Sequence, residues 1–184
     1  MIDQSKNIHL TRDCDAELIP SGDKIKLIKG EVVRITQSLG GNYTLFLNGN
    51  LVKIRGVDAD AIGLVPEEKP INDLEAHAKM DIDESLIWER LKTCFDPEIP
   101  VNIVELGLVY DLRITPTEPY GNKIGIKMTL TAPGCGMGPS IAGDVKYKVS
   151  TVPGVSEVEV DVVWDPPWTK DMMSDAAKLQ LGVL

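Results

Sequence analysis

The chain has 184 residues, of which 43% are hydrophobic and 26% charged, and its formal net charge is −9. This is enough for one ordinary domain or two small ones, with the composition of a globular protein. No apolar run approaches the roughly 18 residues of a membrane-spanning helix, and no basic run offers a surface for nucleic acid or anionic lipid. The sequence therefore predicts a protein that binds neither nucleic acid nor membrane.

Residues 1–64 are predicted to form a small all-β module. Between residues 15 and 56 five short alternating segments are separated by turn signals, of which Asn48-Gly49 is a strong β-hairpin signal and Gly40-Gly41 marks an earlier turn. Five strands without an obvious helix predict an antiparallel sheet or barrel. Such a module is more often an interaction or scaffolding unit than a ligand-binding one.

An acidic segment, residues 65–80, is interpreted as a linker because it contains two prolines and little periodicity. The second domain, residues 81–184, begins with a predicted helix that runs to Phe95. Asp81 and Glu84 resemble a capping box at its start, and Pro97 is expected to stop it. Cys94 falls on the apolar face of this helix and is predicted to be a core residue.

The remaining elements predict an α+β domain. Residues 104–114 and 123–131 are expected to form a hairpin, followed by a helix from Pro139 to about Thr151 and a strand over residues 155–164. A last helix is expected after Thr169 as its cap, ending at Gly182. The order α-β-β-α-β-α predicts two layers with a mixed sheet and helices on one face.

The stretch 123–140, KIGIKMTLTAPGCGMGPS, carries the strongest chemical signal. An alternating strand runs into a glycine-rich turn with Cys135 at its centre, and Pro139 suits the first turn of a helix. Gly134, Gly136 and Gly138 would let backbone pass close to a ligand. The positive end of the helix dipole would favour the thiolate, which is both a nucleophile and a metal ligand. The alternative is that a tight turn simply needed a small residue.

Cys14, in RDCDAE, is predicted to be an exposed, incidental thiol in a mobile segment. The alternative is a second ligand, if the N-terminal module folds over the Cys135 turn. The three cysteines have no paired spacing, and residues 1–17 do not combine a basic stretch with an apolar core. This usage predicts reduced thiols and a cytoplasmic protein.

Four motifs in order resemble the SufT family of iron–sulfur cluster assembly proteins. They are Asp96-Pro97-Glu98, ELGLVYD, TAPGCGMG and WDPPWTKDMMSDAAK. The second domain is similar to the metal–sulfur cluster biosynthesis domain shared with PaaD-like proteins. RDCDAELIPSG and GNLVKIRGVDADAIGL likewise resemble the SufT N-terminal extension.

The resemblance implies an auxiliary factor in iron–sulfur protein maturation, acting as carrier, targeting factor or adaptor, with Cys135 as the reactive or cluster-contacting residue. It also implies partners among the assembly machinery and apo client proteins. The supporting site residues would be Asp96, Glu98, Thr131, Gly134, Gly136 and Trp168.

Ligand arithmetic limits how such a cluster could be held. Iron–sulfur clusters normally take four cysteine ligands, and this chain has three cysteines and no CxxC pair. Cys135 would supply one ligand to a transient cluster, and a second subunit of a homodimer, a small thiol or a partner would supply the others. Asp96 and Glu98 would be oxygen ligands, would orient the turn, or would only be solvated carboxylates at a helix boundary. Trp168 would be a docking anchor or a packing residue under the last helix.

Two alternative functions remain open at this stage. A thiol-dependent enzyme with Cys135 as nucleophile would need a base, yet His9 and His77 are the only histidines and both lie outside the second domain. We therefore expect a protein that is not an enzyme. The PaaD resemblance alone would also allow a non-catalytic subunit of an oxygenase assembly.

Overall fold

A computed structural model describes residues 6–67 and 79–183. The chain divides into two units, Met1–Lys69 and Pro70–Leu184. Most of the predicted linker lies outside the described residues, so the boundaries 1–64, 65–80 and 81–184 stay a prediction. None of the helices in the described part of the chain is long and apolar enough to cross a bilayer.

The first unit is a six-stranded sheet in which every recorded strand pair is antiparallel. Its spatial order is β1-β4-β5-β6-β2-β3, and a 3-10 helix, Gly56–Ile62, follows it. The strands are β1 (Asn7–His9), β2 (Cys14–Ile19), β3 (Lys24–Leu27), β4 (Val32–Leu39), β5 (Asn42–Leu47) and β6 (Asn50–Ile54). The predicted all-β module is confirmed, but β1 was not predicted, because three residues are too few to show an alternating pattern.

The Asn48-Gly49 hairpin is confirmed. Leu47 pairs with Asn50, and the two residues between them have φ values of 50° and 89°. Positive φ at both central positions is the type I′ geometry, which matches the right-handed twist of the flanking strands. Asparagine tolerates this region better than most side chains, and glycine has no Cβ to clash.

Cys14 corrects the expectation of an exposed thiol in a mobile segment. It is the first residue of β2, pairs with Leu27 of β3 and is only 4% exposed. Because side chains alternate along a strand, Cys14 and Ala16 point to the same face, and both belong to the core of the first unit. Its burial follows from strand register.

The second unit follows the order α-β-β-α-β-α that the sequence predicts. Its elements are α1 (Glu84–Leu91), β7 (Val109–Pro116), β8 (Asn122–Met128), α2 (Gly138–Ser150), β9 (Val155–Val162) and α3 (Asp175–Leu181). The sheet has the order β7-β8-β9, with β7 antiparallel and β9 parallel to the central strand. The mixed sheet and the α+β class are thus confirmed.

Two predicted helix caps are wrong. α1 is capped by Asp83, whose side chain accepts a hydrogen bond from the Ser85 N–H, so Asp81 is not the cap. α3 is capped by Ser174, and a 3-10 helix, Lys170–Met172, follows Thr169 instead. Both errors have one reason: several residues that can cap lie close together, and only the path of the chain selects among them.

The end of α1 also differs from the prediction, while its apolar face is as expected. The helix stops at Leu91, and Phe95 forms an isolated bridge with Asn102. Cys94 is fully buried, which confirms it as a core residue, and its thiol lies 3.7 Å from the Arg90 carbonyl. Gly182 ends α3 with a positive φ, as predicted.

Helices α1 and α2 form a layer beside the sheet. α2 packs against β9, and α1 packs against α2. The Lys148 ammonium of α2 lies 3.1 Å from the Asp144 carboxylate and donates a 2.6 Å hydrogen bond to the Thr93 carbonyl just after α1. Lys148 and Asp144 are both buried; their ion pair lies within α2, and the Lys148 hydrogen bond to Thr93 connects α2 to the end of α1.

Candidate functional site

The Cys135 turn connects the central strand to α2. Two backbone hydrogen bonds shape this turn. The Cys135 N–H donates to the Ala132 carbonyl at 3.4 Å, and the Gly138 N–H donates to the Cys135 carbonyl at 3.0 Å. Cys135 is half-buried, whereas Met137 two residues later is fully buried. The turn is thus anchored in the core on its helical side and leaves the thiol accessible. The prediction that Cys135 lies just before a helix is confirmed.

The glycines of this turn have different roles. Gly134 has a φ of 77°, a conformation that L side chains rarely adopt. A Cβ on Gly138 would lie 2.6 Å from Leu130 Cδ1, so Gly138 allows the start of α2 to pack closely on the end of β8. Gly136 is exposed, and among the described residues of the turn only Gly134 has a positive φ. Gly134 and Gly138 therefore set the path of the turn.

Thr129 is a residue that the sequence analysis missed. It follows the last residue of β8, its N–H donates to the Leu108 carbonyl at 2.8 Å, and its side chain is fully buried. Its hydroxyl has no hydrogen-bond partner among the described residues. Burying a polar atom without a hydrogen-bond partner costs free energy, so the Thr129 hydroxyl is expected to lower the stability of the fold. Thr131, two residues later, is half-buried.

The Asp96-Pro97-Glu98 motif builds a turn. The Asp96 carboxylate accepts a 2.9 Å hydrogen bond from the Glu98 N–H, and the Asp96 carbonyl accepts one from the Ile99 N–H. Asp96 is buried and Glu98 is exposed, so only Glu98 fits the expectation of a solvated carboxylate. In residues 6–67 and 79–183, no group of three or more His, Cys, Asp and Glu side chains is arranged to hold a metal ion. A role for Asp96 or Glu98 as a ligand stays a prediction.

Trp168 fixes the segment between β9 and α3 onto the turn before β7. Its indole N–H donates a 2.8 Å hydrogen bond to the Leu106 carbonyl. Beside it, the Tyr110 hydroxyl donates to the Pro166 carbonyl at 2.9 Å. Trp168 is half-buried, whereas Trp164 is 45% exposed. The contact favours the packing role for Trp168, although its partner is a turn and not the last helix.

The other two cysteines are buried, in contrast to Cys135. Cys94 is fully buried. Burial raises the pKa of the Cys14 thiol to about 11, with the nearby Asp58 carboxylate adding to the effect. A thiol with so high a pKa is protonated at neutral pH and is a poor nucleophile and ligand. Cys135 is the accessible cysteine of the chain.

Histidine is absent from the described part of the second unit, residues 79–183. His9 lies on β1 of the first unit, with its Nδ1 atom 3.4 Å from the Gly30 carbonyl. His77 lies outside the described residues. A histidine base for thiol catalysis is therefore not identified in residues 79–183.

Comparison with known proteins places residues 84–162 in a family described as "Iron-sulfur cluster assembly protein". The chain is similar to an Fe-S protein maturation auxiliary factor of Porphyromonas gingivalis, with 44% identity over 101 residues, which are 55% of this chain and 92% of that protein. It is also similar to the Fe-S protein maturation auxiliary factor SufT of Staphylococcus aureus, with 47% identity over 88 residues, 48% of this chain and 96% of that protein. A solved domain of unknown function from Bacillus anthracis is 48% identical and covers 55% of this chain and 92% of its own, with a TM-score of 0.48.

Each of these two relatives aligns over nearly its whole length, and the aligned region covers about half of this chain. The matched family segment begins with the first residue of α1 and ends with the last residue of β9. It includes Asp96, Glu98 and the whole Cys135 turn. The resemblance of residues 1–64 to the SufT N-terminal extension is not tested by these relatives and stays a prediction.

Proposed function

Because this chain belongs to the SufT family of iron–sulfur cluster assembly proteins, we propose that it is an auxiliary maturation factor that carries a cluster in transit on Cys135. One observation carries the role of Cys135. Of the three cysteines, it is the half-exposed one, in a turn anchored to the core by Met137, whereas Cys14 and Cys94 are buried. An accessible thiol on a fixed backbone is suited to bind and release a soft metal centre.

The cluster in this proposal is cargo and not a resident cofactor. One accessible thiolate cannot complete the four-thiolate coordination of a cluster. The other ligands come from outside the chain: a small thiol, the assembly machinery, the apo client or a second subunit. Such a mixed ligand set exchanges readily, which favours transfer over storage. The partners of this chain are accordingly the assembly machinery and apo client proteins, and its compartment is the cytoplasm.

A non-catalytic role fits better than a thiol enzyme. A nucleophilic cysteine needs a base within hydrogen-bond reach, and none is identified beside Cys135 among the described residues. The relatives named above are called auxiliary factors. Among the described residues, no contact favours the alternative function as a non-catalytic subunit of an oxygenase assembly.

The test is anaerobic reconstitution of the full chain with ferrous iron and sulfide, with and without glutathione. Visible absorption and iron per chain are compared for wild type, Cys135→Ser and Cys14→Ala. We expect cluster absorption in wild type and Cys14→Ala, strengthened by glutathione, and its loss in Cys135→Ser.

Two results would count against this proposal. Equal iron content in wild type and Cys135→Ser would remove Cys135 from the ligand set. No iron in any sample, with or without glutathione, would mean that the chain is an adaptor and not a carrier. Circular dichroism of each variant shows whether lost binding reflects lost folding.

A further inference from the structure

The three-stranded sheet of the second unit has two edges, β7 and β9. In the part of the chain that the structure describes, each of these strands pairs only with β8. An edge strand presents unpaired N–H and C=O groups that can bind a strand of another molecule. The side chains on the two edges decide whether that molecule could be a second copy of this chain.

β9 is built to repel a copy of itself. Glu157, Glu159 and Asp161 alternate along it and therefore share one face. When two β9 strands pair antiparallel about a two-fold axis, odd-numbered residues lie opposite odd-numbered residues. Every register centred between Glu157 and Asp161 therefore places acidic side chains opposite acidic side chains. Like charges directly opposite each other are destabilising. Lys123 of the central strand lies between Glu157 and Glu159 and offsets this repulsion only within one chain.

β7 has the opposite property, because its charges are self-complementary. Asp111 and Arg113 are two positions apart and therefore lie on one face of the sheet. This is also the face of the β9 acids, because Arg113 pairs with Gly125 and Gly125 pairs with Glu159. Their side chains are 39% and 71% exposed and form a 2.7 Å ion pair with each other. We propose that a second copy of this chain pairs antiparallel with β7 about a two-fold axis at Leu112, extending the sheet to six strands.

The charges select this register. With Leu112 opposite its own copy, each Asp111 lies opposite an Arg113, which gives two cross-strand ion pairs. A shift by two positions in one sense places Arg113 opposite itself, and in the other sense Asp111 opposite itself. Because β7 is irregular between Val109 and Asp111, the regular part of this ladder runs from Asp111 to Arg113, and Pro116, which cannot donate a hydrogen bond, falls outside it.

The other face of β7 is only partly covered by the rest of the chain, so pairing there would also bury apolar surface and stabilise the dimer. Leu112 and Ile114 are half-buried, whereas the β8 residues paired with them, Ile126 and Ile124, are buried. The helix α2 packs on β9, at the far side of the sheet. A second β7 would bring Leu112 against its own copy and remove this apolar surface from water.

If Cys135 carries a cluster as proposed above, the geometry of this dimer bears on the source of the other cluster ligands. Met128 lies two residues beyond Ile126, the partner of Leu112 on the two-fold axis, so the C-terminal ends of the two β8 strands point away from each other. With a strand rise of about 3.3 Å and a spacing of about 4.8 Å, the two Met128 Cα atoms would lie about 20 Å apart. Both Cys135 turns begin near these ends. In this dimer the two turns start on opposite sides of the two-fold axis, so of the ligand sources named above a small thiol or a partner fits better than the second copy.

The first experiment is sedimentation equilibrium of the full chain up to about 200 μM, a range that detects weak dimers. We expect wild type to dimerise and Arg113→Asp to raise the dimer dissociation constant about tenfold, because it places like charges opposite each other twice. The double variant Asp111→Arg/Arg113→Asp should restore dimerisation. Lys146→Asp, the same change of charge at an exposed position of α2, is the matched control and should have no effect.

The register is tested by cross-linking in a Cys135→Ser background. Opposite residues in an antiparallel pair have Cα atoms about 4.5–5.5 Å apart, within disulfide range. Leu112→Cys should form a disulfide-linked dimer on mild oxidation, whereas Ile114→Cys should not.

A monomer at all concentrations, a dimer insensitive to Arg113→Asp, or cross-linking at position 114 in preference to 112 would each overturn the proposal. None of these results affects the reconstitution test of Cys135, so the two proposals fail separately.

Discussion

The indole N–H of Trp168 donates a hydrogen bond to the Leu106 carbonyl, a contact between positions 62 residues apart. It holds the segment after β9 against the turn that precedes β7. Since the Tyr110 hydroxyl bonds the Pro166 carbonyl in the same region, the Trp-Asp-Pro-Pro-Trp motif is fixed at two points. The motif therefore has a structural role that its sequence alone does not reveal.

Trp168→Phe removes this donor and leaves the Leu106 carbonyl without it. We expect a loss of about 1 kcal/mol in the free energy of unfolding, the usual value for one hydrogen bond. Urea denaturation followed by circular dichroism measures it. Trp164→Phe is the matched control, because Trp164 is 45% exposed, and it should change stability by less than about 0.5 kcal/mol. Equal effects of the two substitutions would contradict the structural role of Trp168.

Thr129→Val replaces a fully buried hydroxyl that has no partner among the described residues with a methyl group of similar size. Because the unpaired hydroxyl is costly to bury, we expect a gain of about 1 kcal/mol in the free energy of unfolding. Thermal denaturation monitored by circular dichroism tests this, with the half-buried Thr131→Val as control. A clear loss of stability would show that the Thr129 hydroxyl is hydrogen-bonded in solution.

Lys148→Met leaves the buried Asp144 carboxylate without its ion-pair partner and removes the donor to the Thr93 carbonyl. We expect a loss of about 3 kcal/mol in the free energy of unfolding, because an uncompensated charge is then buried. The double variant Asp144→Leu/Lys148→Met removes both charges and should recover much of that loss. Urea denaturation compares them, and a double variant no more stable than Lys148→Met would refute this explanation.

The raised pKa of Cys14 predicts a dependence of stability on high pH. Its ordinary value is 9.0 and burial raises it to about 11 in the folded chain. The folded state therefore keeps the thiol protonated, and this contribution to stability is complete below pH 9 and is lost as the pH rises towards 11. Unfolding free energies of wild type and Cys14→Ala, measured between these pH values, should converge as the pH rises. Parallel curves would contradict the raised pKa.

The same burial predicts the pattern of alkylation. Iodoacetamide at neutral pH should modify Cys135 in the native chain, and Cys14 and Cys94 only after denaturation, because both are buried. Peptide mass spectrometry identifies the modified residues. Early labelling of Cys14 in the native chain would be inconsistent with its place in the sheet.

Local patterns in the sequence determined much of the fold. The alternation of Ile124, Ile126 and Met128 predicted the central strand, Asn48-Gly49 predicted a hairpin and Pro139 predicted the start of α2. These signals are readable because they depend on neighbouring residues: side-chain period, positive φ and the missing N–H of proline. The same holds for the motifs around Cys135, whose family the comparisons confirm.

Only the tertiary structure decided which candidate residues are accessible. Cys14 is buried because β2 pairs with β3, and the Asp96 carboxylate accepts a hydrogen bond within its own turn. Thr129, which no pattern indicated, is buried without a hydrogen-bond partner for its hydroxyl among the described residues. Burial depends on which distant segments meet, and hydrogen-bond partners far apart in sequence leave no local pattern. The sequence could therefore place Cys135 before a helix, but the contrast between this half-buried thiol and the two buried ones required the folded chain.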